Sequence, residues 1–292
     1  MYAPAFALSA AVLVGVSEFS AHFGLRHVKP LAGVFLAICY QLLTLLAVLS
    51  IRGTWEVADW RGAGLFFVVG IIHPGAYFLA LLTAMRRMGP ARAITVRASS
   101  PFFAVALAVM FLAERPSVQV YLGLVLIVGG VMVLTAGGGG KRVRGAVWLF
   151  AFLAAFCSGL APALTKVALG YGGDPVLGVL FAIAGGLVSI VIANTAIEGR
   201  NPDMFWMRAI PRRAVLLFLP MGVLSALAYI AWFVALSLGT VSVVAPLVQC
   251  SPLVAIVMSR IFLQAEERIN SGLILSALSI VAGAALVTWG RA

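Results

Sequence analysis

The sequence predicts an all-α integral membrane protein whose ten transmembrane helices form two inverted five-helix repeats. Hydrophobic residues make up 63% of the 292 positions and charged residues only 10%, and the mean hydropathy is +1.12. A soluble chain carries about 25% charged residues. Residues 30–37 (PLAGVFLA) return as residues 175–182 (PVLGVLFA). The composition therefore indicates a membrane protein, and the repeat indicates two related halves.

Ten apolar runs account for most of the chain. Each is close to the ~20 residues that a helix needs to cross about 30 Å of hydrocarbon. Short loops separate the runs, as expected for a bundle of consecutive spans. The predicted spans cover residues 4–24, 31–51, 63–85, 91–113, 117–136, 146–168, 175–196, 213–237, 240–263 and 271–289.

A basic, glycine-rich stretch divides the chain near its middle (AGGGGKRVRG, residues 136–145). We predict a first repeat over residues 1–137, a linker over 138–145 and a second repeat over 146–292. Five spans per half is an odd number, so the second repeat enters the membrane from the opposite side and the repeats are inverted. The further equivalent pairs are Gly15 and Gly159, His22 and Lys166, Ala76-Tyr77 and Ala228-Tyr229, Ser100-Pro101 and Ser251-Pro252, Glu114-Arg115 and Glu267-Arg268, and Gly130 and Gly283.

The basic residues predict how the protein lies in the membrane. The net charge is +11, but the basic residues are scattered singly between apolar runs, which does not indicate a nucleic-acid partner. The loops after spans 1, 3, 5, 7 and 9 hold 14 of them and the opposite side holds 5. The positive-inside rule then places both termini outside. We expect the protein in a bacterial inner (plasma) membrane, as a monomer or homodimer.

Several kinds of chemistry lack a motif in this sequence. The cysteines Cys39, Cys157 and Cys250 lie in apolar runs without CxxC or metal-ligand spacing, which is typical of packing residues. The chain has no GxxxxGK[ST] sequence for ATP, and the segment that begins at Gly15 lacks the last glycine of a GxSxG nucleophile turn. We therefore expect no catalytic residue, metal or cofactor.

The second part of each half resembles the EamA-type branch of the drug/metabolite transporter superfamily. The first copy, residues 99–134, has a proline, an apolar helix, Phe-Leu-x-Glu-Arg and a glycine-rich apolar helix. The second copy, residues 251–288, repeats this order with two residues inserted before its Glu-Arg pair. This resemblance implies a ten-helix secondary transporter with a central cavity, commonly an exporter of amino acids or other metabolites.

Charged side chains within spans are the first candidate site residues, because each costs about 2.5–3.5 kcal/mol at the bilayer centre. Glu18 and His22 lie four residues apart on one helical face, so they form either a proton-coupling pair or a structural pair, and His22 alternatively meets headgroups. Arg97 stays protonated and needs an anion. That anion is either Glu18 or a carboxylate or phosphate of the substrate. Ser100 lies on the same face as Arg97.

Helix breaks form a second group of candidates. Pro101, Pro246 and Pro252 remove backbone donors within predicted spans, and the freed carbonyls either face a cavity or belong to static kinks. Gln249, three residues before Pro252, offers hydrogen bonds to a ligand or to a neighbouring helix.

Aromatic residues form a third group. His73, Tyr77, Tyr229 and Trp232 give spans 3 and 8 polar aromatic faces, which suit either an amphipathic cargo or the membrane interface. At the membrane surface, Glu114-Arg115 and Glu267-Arg268 are predicted to form caps and local pairs. Lys166 is predicted to extend to the headgroups.

Together these features favour a secondary transporter, and by resemblance an exporter, of a small amphipathic or anionic metabolite such as an amino acid. The repeats would move about a site near Arg97, Tyr77, Gln249 and Tyr229, with Glu18 or His22 as the candidate for proton coupling. The alternative is a flippase for a lipid or lipid-linked phosphate, with the phosphate at Arg97. A remote alternative is an intramembrane enzyme. The expected partners are a small-molecule substrate and the lipid bilayer.

Overall fold

A computed structural model describes residues 2–28, 30–57, 59–135, 145–198, 210–263 and 271–290. All regular secondary structure in these residues is helical. The first repeat contains α1 (Ala3–Leu25), α2 (Pro30–Arg52), α3 (Trp60–Gly70), a wide π-type turn (Ile71–Ala76), α4 (Tyr77–Met88), α5 (Pro90–Arg97), α6 (Ser100–Phe111) and α7 (Val118–Thr135). The second contains α8 (Gly145–Leu169), α9 (Pro175–Glu198), α10 (Arg212–Leu238), α11 (Val241–Val248), α12 (Ser251–Leu263) and α13 (Ser271–Trp289).

These helices follow the ten predicted runs closely. Runs 3, 4 and 9 are divided, into α3 and α4, α5 and α6, and α11 and α12. In the described residues, with each divided run counted once, eight helices are long and apolar enough to cross a membrane, and Val118–Val133 and Ile274–Trp289 are shorter apolar helices. A count of ten spans thus stays a prediction. The predicted linker lies outside the described residues, apart from Gly145, where α8 begins.

The two repeats break the same run at the same place. In the first repeat the break between α5 and α6 falls at Ala98-Ser99, and in the second the break between α11 and α12 falls at Gln249-Cys250. A proline occupies the second position of the helix after each break, Pro101 in α6 and Pro252 in α12. Proline has no N–H to donate into the preceding turn and is tolerated in the first turn of a helix, so the same residue sets both breaks.

Equivalent helices of the two repeats pack in opposite directions. On α7 and α13, Gly123 lies against the backbone of Gly283, whereas Gly130 lies against the backbone of Ser276. As the residue number of the glycine on α7 rises, the residue number of its contact on α13 falls. The two helices are therefore antiparallel. Two repeats of opposite orientation require this register. Glycine is needed at both contacts because a Cβ would meet backbone atoms of the other helix at 2.6 and 2.9 Å.

A second pair of contacts relates the repeats. A Cβ at Gly15 of α1 would lie 2.6 Å from the carbonyl oxygen of Ser251, and a Cβ at Gly159 of α8 would lie 2.6 Å from that of Ser100. Gly15 and Gly159 are sequence equivalents, as are Ser100 and Ser251. The first helix of each repeat therefore packs against the broken helix of the other, and these contacts position the helix breaks at the centre of the molecule.

Candidate functional site

A cavity of about 200 Å³ lies among helices from both repeats. Side chains of α1, α2, α4, α5, α6, α8, α10, α11 and α12, and of the turn before α4, form its walls. Pockets for drug-sized ligands measure roughly 300–1,000 Å³, so this volume suits a smaller metabolite. Of the predicted site residues, those that line the cavity are Glu18, His73, Tyr77, Arg97, Ser100, Pro101, Tyr229, Trp232 and Gln249.

Two opposite charges face this cavity. Glu18 of α1 is solvent-accessible where it lines the cavity, and the guanidinium of Arg97 of α5 interacts with the Tyr77 hydroxyl. Glu18 and Arg97 attract each other electrostatically, yet these two described side chains form no ion pair within 4.0 Å. Each charge therefore keeps hydrogen-bonding capacity for a further partner in the cavity.

Aromatic rings form one wall of the cavity around His73. The His73 ring centroid lies 4.5 Å from that of Tyr77, 6.3 Å from that of Tyr229 and 6.1 Å from that of Trp232. The Tyr229 hydroxyl and the His73 Nδ1 atom are 3.3 Å apart. His73 has extended backbone angles (φ −143°, ψ 111°) inside the turn Ile71–Ala76. This irregular backbone, followed by Pro74, turns the imidazole toward α10.

Polar groups at the two helix breaks meet across the repeats. Gln249 Nε2 donates a hydrogen bond of 3.4 Å to Ser100 Oγ, and both residues are buried and line the cavity. Gln249 thus forms the interhelical hydrogen bond that was one of its two sequence interpretations. It also contributes to the cavity wall, so a ligand has access to its amide.

Three predicted residues are not placed in the cavity wall. Pro246 and Pro252 are buried and do not line the cavity, contrary to prediction. The neighbouring residues Ala245 and Ser251 face it instead, since successive residues of a helix point about 100° apart. The side chain of His22 lies outside the described part of the structure, and its predicted role stays a prediction.

Sequence reasoning does not single out several polar residues of the cavity. Gln41 lines it from α2, and Ser17, Ser158 and Ser225 line it from α1, α8 and α10. The available signal for Gln41 was a lone amide inside an apolar run. Serine is common in membrane helices as a packing residue, so the serines carried little signal. Among the described residues, no group of three or more His, Cys, Asp or Glu side chains could hold a metal ion.

An apolar cluster, which we call the plug, borders the cavity on one side, where Ala104 belongs to both. Buried residues of α1, α6, α7 and α11 form it, including Ala7, Ala108, Val120, Val243 and Leu247. They lie toward the end of the molecule where α1 begins, α13 ends and α10 turns into α11. We call this end the Glu114 face, after the residue that links α6 to α11 there.

Hydrogen bonds between helices, both across the repeats and within the second one, hold the Glu114 face together. The carboxylate of Glu114 accepts hydrogen bonds from the first N–H groups of α11, at 2.7 Å from Val241 and 2.9 Å from Ser242. Lys166 Nζ donates to the carbonyl oxygens of Leu236 and Gly239, each at 2.7 Å. Glu114 caps a helix of the other repeat, rather than only the local turn that was predicted. Lys166 binds the end of α10, so the prediction that it extends to headgroups was wrong.

The second Glu-Arg pair falls outside the described residues, which omit positions 264–270. Glu267 and Arg268 belong to that segment. Their predicted role as a cap and local pair stays a prediction.

Comparisons with known proteins agree with this architecture. The model of the EamA-like transporter family matches residues 1–136 and again residues 145–289. No curated protein matches the chain. A solved structure described as "Crystal structure of protein" superposes with a TM-score of 0.79 at 18% identity, covering 98% of this chain and 96% of that one. At this identity the likeness shows a shared fold.

The family model matches both repeats. The structure adds apolar helices, close packing between the repeats and a central cavity. The family places a small-molecule substrate and the lipid bilayer among the partners of this chain. The chain is an integral membrane protein that belongs to the EamA-like transporter family, a branch of the drug/metabolite transporter superfamily.

Proposed function

We propose that this protein is a secondary transporter that exports a small zwitterionic metabolite, such as an amino acid, by alternating access. The observation that supports this most directly is the pair of opposite charges in one cavity. Arg97 and Glu18 face the same space without forming an ion pair within 4.0 Å. A carboxylate at Arg97 and an ammonium group at Glu18 would satisfy both, and an amino acid supplies both groups.

The other walls favour an amphipathic cargo. His73, Tyr77, Tyr229 and Trp232 offer aromatic faces with polar atoms at their edges. Such rings bind apolar or aromatic side chains through their faces, and polar atoms through hydrogen bonds. A simple inorganic anion would use Arg97 but leave this wall without a partner. The wall therefore supports a substrate with both a charged end and an apolar body.

The repeat architecture supports alternating access. With ten spans in two inverted repeats, the same contacts can form on either side of the membrane in turn. The plug beside the Glu114 face would close that side of the cavity. The charge bias predicts that the Glu114 face is outside, in which case the cavity of this state would load from the cytoplasm. That direction suits an exporter.

Glu18 is the best candidate for coupling to protons. Its carboxylate can hold a proton or a substrate ammonium group, and each excludes the other. The groups that face it electrostatically are Arg97 and Tyr77. Competition for one carboxylate would release a proton when substrate binds and release substrate when a proton returns. This exchange would drive export against a gradient with protons moving inward.

The test is transport by the full chain reconstituted in liposomes. Labelled tyrosine, an amphipathic amino acid, should accumulate in liposomes preloaded with unlabelled tyrosine and not in protein-free liposomes. Arg97→Ala should lower exchange at least about tenfold, because a charge-assisted hydrogen bond contributes about 1.5–3 kcal/mol. Glu18→Gln should abolish accumulation driven by an imposed pH gradient. The control is Arg61→Ala, which removes an exposed arginine outside the cavity.

Two outcomes would contradict the proposal. If the Arg97→Ala variant exchanged amino acids as fast as the wild type, the charged pair would not be the binding site. If the wild type exchanged no amino acid but moved labelled phospholipid between leaflets, or purified with phospholipid in the cavity, the flippase alternative would replace it. The pH-gradient experiment tests Glu18 separately, because exchange at equal pH does not require coupling.

A further inference from the structure

Gln41 places an unpaired hydrogen-bond acceptor beside the cavity. It lies on α2, lines the cavity and is only 6% exposed. Among the described residues, its side-chain oxygen, Oε1, has no hydrogen-bond partner. A buried acceptor without a donor costs free energy, so most such groups in proteins are paired. The proposed function leaves this oxygen unused.

Two serines of the same cavity already use their protons elsewhere. Ser17 Oγ donates to the carbonyl oxygen of Met221 at 3.1 Å, so its one proton is committed. Ser17 and Ser225 are 2.6 Å apart, which makes the Ser225 hydroxyl the donor in that pair. Both serines line the same cavity as Gln41. The pair is therefore satisfied internally and has no proton left for the Gln41 oxygen.

Gln41 and Arg97 belong to different walls of the cavity. α2 packs on α9 and α10, whereas α5, which carries Arg97, packs on α4, α7 and α8. A ligand whose carboxylate is bound at Arg97 extends from one wall into the space between them. The opposite end of that ligand is the part that can reach α2.

We propose that Gln41 determines specificity by accepting a hydrogen bond from an N–H or O–H group at the far end of the substrate. This proposal rests on the proposed function, since it assumes an amino acid held at Arg97 and Glu18. The favoured substrates are then amino acids whose side chains carry a donor, such as a hydroxyl or an amide. An apolar analogue of the same shape leaves Oε1 buried and unpaired, and sites built in this way discriminate strongly.

The experiment measures binding of near-isosteric amino-acid pairs to the purified full chain. The pairs are tyrosine and phenylalanine, threonine and valine, and asparagine and leucine. In the wild type, the donor-bearing member of at least one pair should bind about tenfold more tightly or better. Gln41→Met, which keeps the size but removes the acceptor, should bring that ratio close to one. The substitution should weaken binding of the donor-bearing amino acid. Binding of the apolar amino acid should be unchanged or tighter.

The control is Gln119→Met on α7, which alters an exposed glutamine outside the cavity and should keep the wild-type ratio. Thermal unfolding of both variants checks that they are folded. Equal binding within every pair by the wild type, or an unchanged ratio in Gln41→Met, would overturn the role of Gln41 while amino-acid binding stands. Binding of no amino acid by the wild type would overturn the proposed function, and the Gln41 proposal with it.

Discussion

Glu114 of the first repeat caps a helix of the second by accepting two hydrogen bonds from Ser242. Its Oε2 atom lies 2.9 Å from the Ser242 backbone nitrogen and 2.6 Å from the Ser242 hydroxyl oxygen. Its Oε1 atom accepts from the Val241 nitrogen at 2.7 Å. The N-terminus of α11 is a site of partial positive charge with unpaired N–H groups, so a carboxylate from another helix stabilises it well.

We expect Glu114→Gln to loosen the plug at this face. The glutamine amide offers one acceptor oxygen in place of two and loses the charge. A lost cap costs about 0.5–2 kcal/mol, and a difference of this size changes a population about 2–30-fold. The readout is the rate at which a maleimide labels a single cysteine placed at Val243, which is 3% exposed, in a variant whose native cysteines are replaced by alanine. Labelling should accelerate several-fold.

The control for this experiment is Glu56→Gln, which neutralises an exposed carboxylate before α3. It should leave the labelling rate unchanged. If Glu114→Gln labels no faster than this control, the three hydrogen bonds do not hold the plug closed.

Lys166 should stabilise the same face through the end of α10. Its ammonium group binds the carbonyl oxygens of Leu236 and Gly239, and the C-terminal carbonyls of a helix are otherwise short of donors. Lys166→Met keeps the aliphatic stem and removes both hydrogen bonds. We expect it to lower the free energy of unfolding by about 1–2 kcal/mol, measured by thermal unfolding of the purified protein.

A matched control for Lys166 is Arg115→Met, which removes an exposed positive charge next to Glu114. It should change the melting temperature by less than Lys166→Met does. Equal effects would mean that general charge near Glu114, and not the bond to α10, explains the loss.

Helix positions could be predicted from the sequence because they depend on local hydrophobicity. The seventh span was predicted to begin at residue 175, and α9 begins at Pro175. Pro101 and Pro252 indicated the helix breaks for the same local reason. Relations between distant segments could not be derived in this way. The local interpretation paired Glu114 with Arg115, because nothing in the sequence indicates that α11 lies within reach.

The sequence predicted which types of residue line the cavity. It predicted less well which of two neighbouring helix positions faces inward. Charged and aromatic residues in apolar runs, such as Arg97 and Tyr229, do line the cavity because burial among lipids would be costly. Pro246 and Pro252 do not, since the neighbouring residues Ala245 and Ser251 occupy the inward-facing positions of these helices. Gln41 was not predicted because a single amide in an apolar helix pairs with a neighbouring helix in many proteins.

The contacts of Gly15 and Gly159 predict matching effects of one substitution in both repeats. A Cβ would lie 2.6 Å from a backbone oxygen of the other repeat in each case. Gly15→Ala and Gly159→Ala should each lower the free energy of unfolding by about 1–3 kcal/mol, because the helices must move apart. Thermal unfolding of the two purified variants measures this.

Gly129→Ala is the control for the glycine pair, since no described atom outside its own stretch of α7 backbone lies within 4 Å of a Cβ at that position. Alanine is the better helix former, so this variant should be more stable by about 0.5–1 kcal/mol. A Gly159→Ala variant as stable as Gly129→Ala would contradict the close packing of α8 against the helix break.

Asp174 and Arg52 allow a helix cap to be separated from an ion pair. Asp174 Oδ1 accepts hydrogen bonds from the nitrogens of Val176 and Leu177, at 2.7 and 3.1 Å, and so caps α9. Its Oδ2 atom accepts one from Arg52 at 2.8 Å, but the two side chains are 24% and 41% exposed. Exposed ion pairs contribute about 0–1 kcal/mol, whereas removal of a cap costs about 0.5–2 kcal/mol.

Asp174→Ala should therefore reduce thermal stability more than Arg52→Ala does. Asp174→Asn keeps an oxygen that can cap α9 and loses the charge that attracts Arg52, so it should resemble Arg52→Ala. Melting temperatures of the three purified variants at low salt make the comparison. If Asp174→Asn were as damaging as Asp174→Ala, the charge would matter more than the cap. The bond to Arg52 would then be the feature that holds the end of α2 to the start of α9.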